Sequence, residues 1–299
     1  MTQPETGDGG DLPGDDGETR HRTAVSVEVE KVRGHLREFC RDNVAEEIPV
    51  ALEYNGISHA VMMASPADLE DFALGFSLSE GILRDRSELY ECELVDGDEG
   101  IQVQLRIATE RFMKLKEQRR NLTGRTGCGL CGAETLAQAI RHPAPVASEG
   151  RFTSAMLHAG FDAMLQRQAL QQRTGATHAA AWLNADGEIV LVREDVGRHN
   201  ALDKLIGALY HAGAGADLSA GAVLITSRAS YEMVQKAATV GIGFVAAISA
   251  PTALAIRLAQ QTDVTLVGFV RKDSHVTYAN GHRLAATANL TESIAKGQS

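Results

Sequence analysis

Residues 222–249 read AVLITSRASYEMVQKAATVGIGFVAAIS, and this segment decides the fold. Two short apolar runs, Ala222–Ser227 and Phe244–Ser249, flank a stretch with helical spacing of its apolar residues, Ser230–Val240. The runs have the length of buried strands, and the stretch between them can form the connecting helix. The segment therefore predicts two strands of one sheet joined by a helix that packs on the face of that sheet.

The same alternation continues on both sides of this segment. The remaining predicted elements are helices at 154–172, 199–211 and 251–261, and strands at 177–183, 188–193 and 264–270. The first two of these strands form a hairpin around Asn184-Ala185-Asp186-Gly187. We expect an α/β fold in which residues 135–285 form the larger, C-terminal domain, with three layers in the order α/β/α.

The first part of the chain has a different pattern, that of a smaller α+β domain at residues 23–120. Alternating residues predict a half-buried strand from Thr23, and Asn55-Gly56 predicts a hairpin. The other predicted elements are strands at 48–54, 58–64, 90–95 and 101–107, a helix capped by Ser65, and a basic helix at 110–120. Residues 1–22 are expected to be a disordered acidic tail, and residues 286–299 a C-terminal tail.

The composition limits the classes of function. The chain has 299 residues, 44% of them hydrophobic, with a net charge of −10 and a pI near 5.5. Such a chain is typical of a soluble globular protein, and its acidity argues against a general nucleic-acid partner. No apolar run reaches the roughly 18 residues of a membrane span, so we expect no membrane partner and a cytoplasmic location.

Polar residues follow four successive strands of the predicted sheet. They lie in the stretches 193–200, 226–232, 249–252 and 271–275. Ligands of α/β sheets collect beyond the carboxyl ends of the strands, so one shared pocket is predicted, with hydroxyls and helix N-termini suited to phosphate oxygens. His199 and Arg228 are the side chains we assign to it. For Asp195, Asp203 or Ser230 alone, a helix cap or a surface ion pair is the favoured interpretation.

The stretch 121–134 holds the close cysteine pair Cys128 and Cys131 among four glycines. A glycine-rich stretch predicts a mobile loop, and a following helix together with Arg125 would favour the thiolate. A structural disulfide, a structural zinc site, a thioredoxin-type dithiol and a sulfur-carrying thiol are all considered. A structural disulfide is disfavoured because the two other cysteines, Cys40 and Cys92, are each isolated in the sequence. A zinc site lacks further ligands, and a thioredoxin-type dithiol would need a preceding strand.

Three motifs occurring in order carry a family resemblance. They are the cysteine stretch, Glu194-Asp195-Val196-Gly197-Arg198-His199-Asn200-Ala201-Leu202-Asp203-Lys204, and Ser227-Arg228-Ala229-Ser230-Tyr231-Glu232-Met233-Val234-Gln235-Lys236. With them the chain closely resembles the formate dehydrogenase accessory sulfurtransferase (FdhD) family over about residues 23–285. The resemblance implies a larger domain similar to the cytidine deaminase fold, and a homodimer.

The resemblance also implies a sulfurtransferase acting as a sulfur carrier. Cys128 would accept persulfide sulfur from a cysteine desulfurase, with Cys131 as its partner. The sulfur would pass to the molybdenum cofactor in its bis(molybdopterin guanine dinucleotide) form, before that cofactor enters formate dehydrogenase. Guanine nucleotides such as GDP are expected to mimic the cofactor. The implied cofactor contacts are Phe269, Val270, Arg271, Lys272, Asp273 and Ser274, and no bound metal is expected.

Two rival functions belong to other classes. A zinc deaminase needs H-x-E or C-x-E before P-C-x-x-C, and here neither glutamate motif precedes the pair while Gly127 stands before Cys128. A non-catalytic chaperone that only binds the molybdenum cofactor would not depend on Cys128. Loss of formate dehydrogenase maturation in Cys128→Ala separates the carrier from the chaperone.

Overall fold

The structure, a computed structural model, describes residues 21–123, 143–213 and 218–285, with the side chains of 118–123 excepted. The strands are β1 Ala24–Arg33, β2 Leu36–Ala45, β3 Ile48–Tyr54, β4 Ile57–Ala64, β5 Leu89–Gly97, β6 Gly100–Ile107, β7 Phe152–Thr153, β8 His178–Leu183, β9 Ile189–Asp195, β10 Ala222–Ile225, β11 Phe244–Ala247, β12 Thr265–Gly268, β13 Val276–Ala279 and β14 Leu284–Ala285. The helices are α1 Leu69–Ser79, α2 Thr109–Thr123, α3 Ser154–Gln166, α4 Ala169–Thr174, α5 Arg198–His211, α6 Tyr231–Thr239 and α7 Ala253–Gln261, with 3₁₀ turns at Arg86–Glu88 and Gly281–Arg283. None of the described helices is long and apolar enough to cross a membrane.

A six-stranded sheet forms the centre of the second half, in the order β13-β12-β11-β10-β8-β9. Strands β10, β11 and β12 are parallel, and the three flanking strands pair antiparallel with their neighbours. Side chains of β10 alternate between the two faces, because Ala222 and Leu224 join one hydrophobic cluster while Val223 and Ile225 join another. Both faces of the sheet are therefore covered by apolar side chains.

Helices cover both faces of this sheet. Helix α3 contributes Phe161 and Met164 to the cluster on one face, and α5, α6 and α7 contribute to the cluster on the other, for example through Leu202 and Val234. The predicted α/β fold with helices on both faces of the sheet is confirmed. The likeness to the cytidine deaminase fold remains an expectation from the family resemblance.

The first half is built on a four-stranded sheet, in the order β4-β3-β6-β5. Asn55 and Gly56 both have positive φ in the β3–β4 turn, as the hairpin prediction requires. Helix α1 packs between this sheet and α5. A Cβ atom on Gly75 or on Gly207 would overlap the facing helix backbone, so α1 and α5 approach more closely than ordinary side chains allow.

One hydrophobic cluster includes residues of both halves, such as Val50 and Phe72 with Leu205 and Val245. The division into domains at 23–120 and 135–285 stays a prediction. Residues 1–20, 124–142, 214–217 and 286–299 lie outside the described residues. These ranges contain most of the predicted N-terminal tail, the whole predicted C-terminal tail and most of the stretch 121–134.

Two element predictions were wrong. The predicted helix 154–172 is two helices, α3 and α4, because Glu194 accepts hydrogen bonds from the amides of Leu170 and Gln171 and caps a new start. Ser65 does not cap α1, which begins at Leu69 after Asp68 in a left-handed conformation. The Ser65 hydroxyl instead accepts a hydrogen bond from the amide of Val196.

Strand β2 was not predicted. It pairs with β1 over ten residues to form a two-stranded ribbon that lies against α4. Val25, Val27 and Val29 of β1 are partly buried, which confirms the predicted half-buried strand. Near the tip of the ribbon Val32, Leu36 and Phe39 are exposed.

Candidate functional site

The loops that follow β10, β11 and β12 contact one another at one edge of the sheet. Ala229 forms a bridge with Pro251, and the Thr252 amide donates to the Ala229 carbonyl at 3.0 Å. The Phe269 amide donates to the Ser249 carbonyl at 3.3 Å. The predicted neighbourhood of Arg228, the 249–252 stretch and Phe269 is thus formed at what we call the carboxyl edge, residues 226–232, 248–252 and 269–275.

The predicted cofactor segment 269–274 is a turn on this edge. Phe269 has a φ of 52° and is 42% exposed, so an apolar ring is held at the surface by an unusual backbone conformation. The Arg271 amide donates to the Ser274 carbonyl at 2.8 Å, which closes the turn and leaves Lys272 and Asp273 exposed. Val270 is buried, and its side chain belongs to the core rather than to a ligand surface.

Arg271 is anchored by backbone carbonyls. One of its terminal nitrogens donates to the carbonyls of Ile248 at 2.6 Å and Val270 at 2.9 Å. The guanidinium is thereby fixed across the loops that follow β11 and β12. Arg228, after β10, is exposed on the same edge. Two cationic side chains on one edge are suited to an anionic ligand.

A second group of charged side chains lies where the first turns of α5 and α6 meet. His199 Nε2 lies 2.7 Å from Glu232 Oε2, and Arg198 Nη2 lies 3.9 Å from the same oxygen. The Glu232 side chain is 55% exposed, whereas those of Arg198 and His199 are 30% and 26% exposed. His199 is therefore placed beside an acid, as a group able to bind an anion or to move a proton.

Several buried polar atoms of this group have no hydrogen-bond partner. They are Arg198 Nε, His199 Nε2 and Ser230 Oγ. His199 Nε2 is among them because its short contact with Glu232 lacks hydrogen-bond geometry. Ser230 is the N-cap residue of α6 and makes no capping hydrogen bond, although it is only 8% exposed. Native proteins pair nearly all their buried polar groups, so unpaired atoms gathered at one place indicate a ligand site.

Other hydroxyls of the carboxyl edge are already used. Thr226 Oγ1 accepts from the Ala179 amide at 2.9 Å, and Thr252 Oγ1 caps α7 by accepting from the Ala255 amide. Ser227 Oγ donates to the Arg228 carbonyl at 3.1 Å. These three residues therefore maintain the loops, in contrast to Ser230.

Two histidines of the region have altered acidity. Burial lowers the pKa of His199, an effect that Glu232 partly opposes. Burial, followed by the nearby Arg198, lowers the pKa of His178. Both imidazoles are therefore neutral at pH 7, and each can accept a proton there. His178 is partly buried at the start of β8.

Asp195 is part of the framework, and neither a cap nor a surface pair describes it. It forms a fully buried ion pair with Lys204 at 2.7 Å, both side chains being 0% exposed. Its oxygens also accept from the amides of Ser65 and Gly197 and from Asn200 Nδ2. The turn that leads into α5 is thereby fixed to the loop between β4 and α1.

Asp203 belongs to a second buried network. Lys236 Nζ contacts Asp203 Oδ2 at 2.9 Å and Glu80 Oε1 at 2.8 Å, and it donates to Ser79 Oγ at 3.0 Å. Although burial opposes a charged ammonium, Asp203 and Glu80 raise the pKa of Lys236. The favoured interpretation of Asp203 as a helix cap or a surface ion pair was therefore wrong.

The two candidate catalytic cysteines, Cys128 and Cys131, lie outside the described residues. Among the described cysteines, Cys40 and Cys92 are both free thiols. Burial raises the pKa of Cys92 to about 12, so this thiol is a poor nucleophile at neutral pH. Within 21–123, 143–213 and 218–285 no group of three or more His, Cys, Asp or Glu side chains could hold a metal ion.

Sequence reasoning missed Arg198, Ser230 and Glu232 as members of the candidate site. Each belongs to a quoted motif, but only the contact between the starts of α5 and α6 brings them together. The available signal was a serine and a glutamate at the start of a helix, which is also the signal of ordinary capping. His199, Arg228 and the 269–274 turn lie beyond the carboxyl ends of strands, as expected, and their roles as site residues stay predictions.

Known proteins resemble this chain over most of its length. The FdhD/NarQ family model matches residues 45–285, a range that includes both candidate cysteines and the whole carboxyl edge. The chain is 63% identical over 258 residues to the sulfur carrier protein FdhD of Cupriavidus necator, covering 86% of this chain and 88% of that protein. It is 53% identical over 264 residues to the protein of the same name from Bordetella bronchiseptica, covering 88% and 95% respectively.

A solved structure has a similar fold. It is described as a formate dehydrogenase accessory protein from Desulfotalea psychrophila, and it matches with a TM-score of 0.72 and 23% identity. The match covers 88% of this chain and 100% of that chain. At this identity the likeness concerns the fold alone. The family model and the extent of the identity to the relatives show that this chain belongs to the FdhD/NarQ family.

Proposed function

We propose that this protein is a sulfur carrier that serves the maturation of formate dehydrogenase. The observation that carries the proposal is the 63% identity, over 258 residues, to a relative named sulfur carrier protein FdhD. The C-x-x-C pair at Cys128 and Cys131, within the range that the family model matches, supplies the reactive group that such a role needs.

Sulfur enters by exchange at Cys128. Its thiolate attacks the outer sulfur of a cysteine desulfurase persulfide, the sulfur–sulfur bond of the donor breaks, and the desulfurase thiolate leaves. Cys128 then carries the persulfide, and no external oxidant or reductant is required. The four glycines of the stretch permit close approach of two different partners.

Two routes of release are compatible with the residues. In one, an acceptor takes the outer sulfur and Cys128 returns to a thiolate. In the other, the Cys131 thiolate attacks the inner sulfur, a disulfide forms between the two cysteines, and the outer sulfur leaves as hydrosulfide. The second route supplies the two electrons needed to convert sulfane sulfur into sulfide.

The acceptor in this proposal is the molybdenum cofactor in its bis(molybdopterin guanine dinucleotide) form, bound at the carboxyl edge. Arg271, Lys272 and Arg228 supply cationic groups for its phosphates, and exposed Phe269 supplies an apolar surface for a planar ring. His199 lies close enough to Glu232 for proton exchange at the same edge. A fit to an anionic ligand is supported by the unpartnered Ser230 Oγ and Arg198 Nε.

The remaining parts of the proposal concern assembly and location. A cysteine desulfurase is the donor, formate dehydrogenase is the client, and the carrier acts as a homodimer in the cytoplasm. Because Cys92 is held as a protonated thiol by burial, it does not compete for the transferred sulfur.

Intact-mass measurement tests the transfer directly. After incubation with a desulfurase and cysteine, the protein should gain one sulfur atom that maps to Cys128 and is removed by a reducing agent. Cys128→Ala should not gain it, whereas Cys92→Ala should gain it as the parent does. A sulfur atom that maps elsewhere, or is retained in Cys128→Ala, contradicts the carrier mechanism.

Maturation of the client separates the carrier from a chaperone. In cells lacking the native carrier, Cys128→Ala should leave formate dehydrogenase inactive, while the purified variant retains its affinity for GDP. Full formate dehydrogenase activity with Cys128→Ala would instead support a non-catalytic chaperone that only binds the cofactor.

A further inference from the structure

Segment 1–20 carries an unusual share of the charge of this chain. It contains six acidic residues and one base, Arg20, and so accounts for half of the net charge of −10. The acids are Glu5, Asp8, Asp11, Asp15, Asp16 and Glu18. The segment lies outside the described residues, whereas His21, which follows it directly, is described. The place from which the segment departs is therefore known.

His21 lies at one end of the four-stranded sheet. Its Nε2 is 2.8 Å from Asp96 Oδ1, near the end of β5. Two residues later, the Thr23 carbonyl accepts a hydrogen bond from the Glu46 amide at 2.9 Å, just before β3 begins. Because β5 ends where β3 begins, both contacts fix the start of the described chain at the same end of this sheet.

This end of the sheet also contacts the turn into α5. One row of paired residues, one from each strand, crosses the sheet from β5 to β4 through Asp96, Ile101, Val50 and Met62. With roughly 4.8 Å between neighbouring strands, the row spans about 14 Å. The next residue, Met63, accepts from Asn200 Nδ2 at 2.8 Å through its carbonyl. Arg198, at the start of α5, therefore lies roughly 20 Å from the point where segment 1–20 departs.

Segment 1–20 is long enough to cover this distance. A chain spans at most about 3.5 Å per residue, so Asp15 can lie up to about 21 Å from His21, and Asp8 up to about 45 Å. The 269–274 turn follows β12, which is four strands from β9, or about 19 Å further along the sheet. Asp15 can therefore reach Arg198, and Asp8 can reach the turn.

The surface within reach is cationic. The carboxyl edge and the start of α5 together present more basic than acidic side chains. The basic ones are Arg198, Arg228, Arg271 and Lys272, and the acidic ones are Glu232 and Asp273. Carboxylates form charge-assisted hydrogen bonds with guanidinium and ammonium groups, as phosphates do. Segment 1–20 and this surface therefore have complementary charge.

We propose that these cationic side chains bind the acidic residues of segment 1–20 of the same chain, and that the segment competes there with an anionic ligand. The inference rests on the proposed function, in which the carboxyl edge receives an anionic cofactor. A segment that occupies the edge about nine-tenths of the time reduces the apparent affinity for such a ligand about tenfold. A ligand with several phosphates displaces the segment, whereas a weakly bound anion does not.

Cross-linking of the full chain tests the contact directly. A carbodiimide joins a carboxylate to a lysine amine where the two are in contact, and Lys272 is an exposed amine on the carboxyl edge. Mass spectrometry should find segment 1–20 joined to Lys272, and excess inorganic pyrophosphate should suppress this link. Lys114 is the matched control, because it is 47% exposed on α2 and should not be joined. A mixture of isotope-labelled and unlabelled protein distinguishes links within one chain from links between chains.

Affinity for inorganic pyrophosphate, measured by calorimetry on the full chain, tests the competition. A variant with all six acids of segment 1–20 replaced by their amides should bind pyrophosphate about tenfold more tightly than the parent, which is ~1.4 kcal/mol. The double variant Asp15→Asn/Asp16→Asn should show part of this gain. At about 1 M salt, where the screening length is about 3 Å, the gain should disappear.

A matched double variant controls for the change in net charge. Asp186→Asn/Glu188→Gln also removes two exposed acids, but they lie in the β8–β9 turn, at the opposite end of the six-stranded sheet from the carboxyl edge. Its affinity for pyrophosphate should equal that of the parent. An equal gain in this control would show that net charge alone, and not a bound segment, sets the affinity.

Three further outcomes overturn the inference. One is that Lys272 is not joined to segment 1–20, or that Lys114 is joined as readily. Another is that links form only between labelled and unlabelled chains, which would place the segment on another copy. The third is that pyrophosphate affinity does not rise in the variant without the six acids. In each case the transfer of sulfur to Cys128, measured by intact mass, decides the proposed function separately.

Discussion

Lys204 shows how strongly single residues of the motif 194–204 are tied to the framework. Its ammonium contacts Asp195 and donates to the Ser65 carbonyl at 3.0 Å, in an environment without exposed surface. A buried ion pair adds little net stability compared with an apolar pair, but removal of one partner leaves an uncompensated charge. The motif therefore stabilises the fold as well as contributing His199 to the candidate site.

Lys204→Met should therefore destabilise the protein by about 3–5 kcal/mol, because Asp195 would remain buried without its counter-ion. The measurement is the free energy of unfolding in urea. Lys114→Met is the control, since Lys114 pairs with Glu110 on an exposed helix surface and should cost no more than about 0.5 kcal/mol. Equal losses in the two variants would contradict the importance assigned to the buried pair.

His275 gives the stability a dependence on pH. Its Nδ1 lies 3.0 Å from His158 Nε2, and burial, followed by the nearby His158, lowers its pKa. The folded state therefore binds fewer protons than the unfolded state as pH falls below the ordinary histidine value of about 6.5. Folding is disfavoured progressively in that window, and stability rises again with pH.

His275→Gln should therefore reduce the loss of unfolding free energy between about pH 7 and pH 5. Urea unfolding across this range is the measurement, and His35→Gln, at the exposed turn of the β1–β2 ribbon, is the control. The dependence should be reduced rather than abolished, because burial also lowers the pKa values of His178 and His199. An unchanged pH profile in His275→Gln would contradict this account.

At the scale of elements, the crossing of α1 and α5 depends on two glycines that permit close helix contact. In an exposed helix, Gly→Ala stabilises by up to about 1 kcal/mol. Here Gly75→Ala should instead destabilise by about 1–3 kcal/mol, because its Cβ overlaps the Asp203 carbonyl. Urea unfolding of Gly75→Ala and Gly207→Ala checks the sign. Increased stability in either variant would show that the helices can separate at little cost.

The elements that sequence predicted well are those whose pattern is local. The apolar runs of β10, β11 and β12 are buried on both faces and bounded by polar loops, so their positions could be predicted from the sequence. Strand β2 could not be predicted, because its residues are mostly exposed and it is a strand only through its pairing with β1. The break between α3 and α4 depends on Glu194, which lies more than twenty residues away from both capped amides.

The candidate site also contains residues that could be predicted from local sequence and residues that could not. His199, Arg228 and the 269–274 turn could be predicted because each follows a strand directly. Ser230 and Glu232 could not, because their significance depends on α5 and α6 meeting at their first turns. A serine that caps its helix and one that leaves its hydroxyl unpaired have the same sequence signature.

At the scale of the whole molecule, the two halves share one apolar cluster and are joined by two buried ionic networks. We expect one cooperative unfolding transition rather than two. Trp182, the single tryptophan, is buried in the six-stranded sheet and reports on the second half, whereas far-ultraviolet circular dichroism reports on both. The two melting curves should coincide. A tryptophan transition displaced from the circular dichroism transition would support independent domains at 23–120 and 135–285.

The bonds from Asp195 and Asn200 to Ser65 and Met63 have a consequence for protein engineering. Arg198 and His199 lie in the same turn as these anchored residues, so the loop between β4 and α1 determines how their side chains are oriented. A chimera that exchanged the second half between relatives would need to carry residues 63–65 with it. Without these residues, the transplanted half would keep the side chains of Arg198 and His199 but lose the contacts that orient them.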